Sequence, residues 1–79
     1  MARARELRPR KLIRILQSLP RSLQLPIRKI DHDAEADVLY VSFDRPQKAT
    51  NSEMRNDGIV IHRRGKRVVG VTVLEASTR

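Results

Sequence analysis

Two stretches of this chain are apolar at positions where a half-exposed strand would alternate: Val38-Leu39-Tyr40-Val41 and Val68-Val69. Successive strand side chains point to opposite faces of a sheet, so such runs read as a sheet covered on both sides. Little material is available to cover it. The 79 residues make one domain at most, and chains of this size rarely bury enough core without a disulfide, a metal or a partner subunit. Cysteine is absent, which excludes disulfides and thiolate metal sites, and Tyr40 and Phe43 are the only aromatics. The core is therefore aliphatic. A homodimer is the most economical source of further burial, and a reducing cytoplasm is the expected compartment for a chain without Cys.

Charge divides the chain. Residues 1–30 hold nine Lys/Arg and one acid, whereas residues 31–79 hold eight of each, so the whole net charge of +8 lies in the first part. Such asymmetry points to nucleic acid or another anionic partner, with simple solubility as the plain alternative. Residues 1–8 read as a polar, frayed start. Pro9 suits the first turn of a helix. Leu12, Ile15, Leu16, Leu19 and Leu23 then follow the spacing of one helical face, with Arg10, Lys11 and Arg14 opposite. The pattern predicts a helix over residues 9–19, stopped by Pro20, with Leu23 in a proline-containing linker. Arg-rich, acid-poor and amphipathic, the first 20 residues share their pattern with mitochondrial presequences and with bacterial basic helices. No apolar run reaches the ~20 residues of a membrane span.

Beyond the linker the signals are β. Strands are predicted over residues 27–30, 38–43, 58–62 and 67–74, with a polar turn at 31–37 and a surface loop at 44–57. Gly65 supplies the turn of a hairpin between the last two strands. The expected fold is α+β: a basic amphipathic helix and linker over residues 1–26, then a small four-stranded antiparallel β-sheet, ordered as a meander, over 27–79.

Asp31 through Phe43 (DHDAEADVLYVSF), Asp57 through Ile61 (DGIVI) and Val69 through Ser77 (VGVTVLEAS) together resemble the prokaryotic family called domain of unknown function 2283. The resemblance covers about residues 30–78. Ile30 stands where an aromatic is common, and Val71-Thr72-Val73 replaces the usual Ile-Glu-Ile. The resemblance implies a compact antiparallel β module with no catalytic residue or cofactor to inherit. Some members are encoded beside small toxin-like proteins, which implies an antitoxin-like role. The basic arm lies outside it.

Candidate chemistry is sparse. Asp31, Asp33, Glu35 and Asp37 alternate as in the start of a calcium loop, but Ala36 and Ser42 occupy the positions that need Gly and a bidentate acid. A solvated turn is the expected reading, with no metal and no cofactor. His32 and His62 stand 30 residues apart and read as exposed at a turn and a strand end. The serines sit in no nucleophile motif, so no catalytic residue is assigned and an enzyme is the least favoured class.

What remains is binding. Arg8, Arg10, Lys11, Arg14 and Arg21 on the arm, with Arg63, Arg64 and Lys66 on the hairpin, are the candidate contacts to nucleic acid or an acidic protein. Without aromatic stacking platforms, contacts to nucleic acid would go to the phosphate backbone. Leu12, Ile15, Leu16, Leu19, Leu39, Val41 and Phe43 are the candidate hydrophobic interface. The alternative is a structural subunit whose helix packs on its own sheet or on a partner through the leucine stripe. A helix lying on an anionic membrane is the weakest of the three.

Overall fold

Pro9 opens helix α1 (Pro9–Ser18), and Leu19 closes it with an extended backbone, φ −63° and ψ 146°. That geometry is the one Pro20 imposes on the residue before it. The computed structural model describes residues 7–44 and 48–79. The start expected to fray lies outside them up to residue 6, as do residues 45–47 of the predicted loop.

The carbonyls left unpaired at the end of α1 find a donor downstream. Gln24 Nε2 donates to Leu19 O at 2.8 Å and to Gln17 O at 3.1 Å, folding the linker back under the helix. Within that linker, residues Arg21–Leu23 form a 3₁₀ turn. Leu23 is consequently not a linker residue in any energetic sense: it is 2% exposed and shares one hydrophobic cluster with Ile15, Leu19, Leu39, Val41 and Val71. The apolar phase of the helix continues through the proline break.

Among the described residues five strands follow: β1 (Lys29–Asp33), β2 (Val38–Ser42), β3 (Asn51–Met54), β4 (Ile59–Arg64) and β5 (Arg67–Val73). All neighbouring pairs are antiparallel, in the order β1-β2-β5-β4-β3. This corrects the four-stranded meander in two ways. The additional strand, β3, lies within the predicted surface loop, and the last strand enters the middle of the sheet rather than its edge. β3 is exposed at every position and has only Met54 as an apolar residue. Its place is set by the backbone of β4, whose edge it covers, and a polar edge strand is a common protection against edge-to-edge association.

Leu39, Val41, Ile59, Ile61, Val71 and Val73 project to one face and meet Ile15, Leu19 and Leu23 there. Leu39 lies opposite Val73, and Val41 opposite Val71. The Val68-Val69 run has a local cause. His62 pairs with Gly70 but Arg63 pairs with Val68, so β5 carries one extra residue, Val69, at that point. The resulting bulge shifts the alternation and lets Val68 pack against the same core as Val71 and Val73. In β2 the alternation is regular, and it turns Tyr40, 46% exposed, onto the opposite, open face. Among the described residues, no helix is long and apolar enough to cross a membrane.

Because Leu23 closes the core from outside the helix, Leu23→Ala is expected to lower unfolding stability by about 2–5 kcal/mol. Ile13→Ala, at an exposed position of α1, should stay within about 0.5 kcal/mol. Urea denaturation of the two variants beside the parent checks both.

Candidate functional site

With one face of α1 committed to the sheet, the helix has only one way to present its cations. Arg8, Arg10 and Arg14 are exposed, Lys11 is half-buried, and Arg21 stands exposed at the start of the 3₁₀ turn. None of the five forms an ion pair with a described residue. The hairpin cations differ. Arg63 pairs with Glu53 at 3.5 Å, while Arg64 and Arg67 converge on Asp44 at 3.8 and 3.0 Å. Such surface pairs contribute little stability, but they offset the hairpin's charge. Of the hairpin candidates, Lys66 alone has no ion pair with a described residue. The two basic groups are therefore unequal in space as well as in net charge, and the arm is the stronger electrostatic feature.

The residues read as a hydrophobic interface close on one another. Ile15, Leu19, Leu39, Val41 and Phe43 are buried within the chain, and Leu12 and Leu16 are packed against the same cluster. They form the chain's own core.

The acidic stretch does not converge on a point. Asp31 pairs with Lys29 at 3.4 Å. Asp33 Oδ1 accepts from the Glu35 and Ala36 N–H groups and so caps the turn. Asp37 turns inward and is 0% exposed. Among the described residues, no three His, Cys, Asp or Glu side chains are grouped as a metal would require.

Asp37 is the polar residue that sequence reasoning missed. Its φ of 55° is left-handed, a conformation Asp tolerates better than most residues. Ser77 N–H donates to both carboxylate oxygens, at 3.0 and 3.2 Å, and Ser77 Oγ–H donates to Oδ2 at 2.6 Å. His32 Nε2 lies 3.1 Å from Oδ1. The Asp37 carbonyl accepts from Ala76 N–H at 3.0 Å, seating Ala76 in the core. The β1–β2 turn is thereby tied to the C-terminal 3₁₀ turn, Ala76–Thr78. Here the carboxylate stands between Ser77 and His32, and its bonds fasten the turn to the C-terminal segment. Asp37 and Ser77 both fall in the stretches that carry the family resemblance. Their separation of 40 positions concealed their pairing.

His32, expected to be exposed in a turn, lies in β1 with its side chain 15% exposed, and His62 too is placed differently from expectation. It lies within β4, half-buried, with Nδ1 2.7 Å from Ser52 Oγ and Nε2 2.7 Å from Thr72 Oγ1. Hydroxyls both donate and accept, so either neutral tautomer satisfies the chain. Partial burial holds its pKa below the ordinary 6.5. One of its two hydroxyl partners, Ser52, comes from β3, the strand with the weakest sequence signal.

Ser77→Ala leaves a buried carboxylate short of donors and is expected to cost about 1–3 kcal/mol by urea denaturation. For His62 the unfolded chain binds the proton more readily than the folded one. Stability should therefore fall as pH drops below 6.5, and His62→Gln should flatten that part of the stability–pH curve. An NMR titration midpoint for His62 at or above 6.5 contradicts this.

No curated protein and no solved structure matches the chain. Over residues 29–77, however, it matches the family described as "Protein of unknown function (DUF2283)". That stretch holds all five strands and both partners of the Asp37–Ser77 fastening, and excludes the basic arm. The chain is a member of the DUF2283 family, with a basic helix packed on the family's β module.

Proposed function

We propose that this protein is a non-enzymatic binding module, antitoxin-like in kind, whose arm presents a fixed basic surface to an anionic macromolecule. One observation carries the reading. Ile15, Leu19 and Leu23 are buried on the sheet, so Arg8, Arg10 and Arg14 are held outward without an acid among the described residues. A tail serving solubility has no need of a buried anchor. Here the anchor sets which way the guanidinium groups face, and a preset orientation lowers the ordering cost of binding. Guanidinium groups match phosphates and carboxylates alike, so nucleic-acid backbone and acidic protein surface are both within this class.

Deleting the arm is a poor test, because it removes core residues along with the cations. Replacing Arg8, Arg10 and Arg14 together with Gln leaves the core untouched. The parent is expected to bind duplex DNA or polyglutamate with an affinity that weakens steeply between about 50 and 200 mM salt. The triple variant should bind at least about tenfold more weakly and with a shallower salt dependence. Fluorescence anisotropy with labelled probes reads both, and equal binding by the variant defeats the proposal.

A further inference from the structure

Between α1 and the segment leading into β1 lies an apolar groove of about 240 Å³, with Ile13, Leu16, Leu23, Leu25, Ile27 and Phe43 in its walls. Ile13, Leu25 and Ile27 are 54%, 38% and 43% exposed, and no other large apolar side chain among the described residues is as open except Tyr40 and Met54. The volume is below the roughly 300–1,000 Å³ usual for small-molecule sites, so the groove suits inserted side chains. Its surroundings are cationic. Arg10 lies one turn before Ile13 on α1, Arg14 one turn before Gln17, and Gln17 also borders the groove. Arg21 and Arg28 stand exposed on the segment that forms the other wall. None of these four pairs with a described acid.

We infer that the groove docks an acidic amphipathic segment of a partner protein. Its apolar side chains would enter between Ile13 and Ile27, and its carboxylates would reach Arg10, Arg14, Arg21 and Arg28. The inference rests on the binding role proposed for the arm and specifies the partner. Charge complementarity selects it over the other occupants. A second copy would bring two arms of the same sign together, which opposes association. A nucleic-acid backbone satisfies the arginines but offers no apolar surface to cover Ile13, Leu25 and Ile27. An amphipathic helix with apolar residues three and four apart supplies both kinds of contact at once.

The test uses the full chain and three labelled probes in anisotropy titrations: a synthetic amphipathic helix of Leu and Glu, a peptide of the same composition with the apolar face scrambled, and duplex DNA. The amphipathic helix is expected to bind at least about tenfold more tightly than the scrambled peptide. Ile13→Gln and Leu25→Gln, one on the helix and one off it, should each weaken that binding by about tenfold while their unfolding midpoints match the parent's. Equal binding of the two peptides, or binding of DNA alone, overturns the groove inference and leaves the basic-surface reading standing. Unchanged binding by both Gln variants also overturns it. If none of the three probes binds with salt sensitivity, both readings fall.

Discussion

Burial of Ile15, Leu19 and Leu23 against the aliphatic face of β2, β4 and β5 is the contact on which the rest of the molecule depends. Without Cys or Trp, and with Phe43 the sole aromatic in the core, the sheet has few other groups to cover it. Each fully buried aliphatic side chain is worth about 1.5–3 kcal/mol. Three of them make a sizeable share of the roughly 5–15 kcal/mol that holds a typical domain together. The arm is thus part of the fold. That same burial turns its arginines outward, so one packing contact decides both stability and the direction of the charge.

The sheet is secured at two further places by local backbone devices. The bulge at Val69 lets Val68 pack against the core, and the left-handed Asp37 aims its carboxylate and its carbonyl at the C-terminal turn. A buried carboxylate is costly unless its oxygens are bonded, and Ser77 together with His32 provides those bonds. The family stretches therefore have a structural meaning here: the Asp of ADVLY and the Ser of LEAS hold the two ends of the module together. The basic arm that covers the module lies outside the matched residues.

Strong periodic signals were legible in advance. The helix, the strands β2, β4 and β5, the Gly65 hairpin and the family could all be read from spacing and residue type, whereas Leu39, Val41 and Phe43 read as an interface and lie in the core. β3 could not, because Asn51-Ser52-Glu53 gain their strand conformation only from an edge supplied by β4. Leu23 was in phase yet lay beyond a proline, and only the 3₁₀ turn brings it back onto the sheet. The Val68-Val69 pair suggested a second cover because a bulge leaves no mark in a linear pattern. The roles of Asp37 and His62 depend on partners far along the chain, so neither could be read from neighbouring residues.

By itself the sequence determined the elements and the charge: apolar periodicity selects helix or strand locally, and the count of Lys and Arg in the arm is independent of fold. Tertiary structure decided which of those charges remain open to a partner. Folding brings Asp44 and Glu53 beside the hairpin cations and leaves the arm without such neighbours among the described residues. Pairing between distant residues is a matter of distance in space, which falls so steeply in its effect that only the folded chain can assign it.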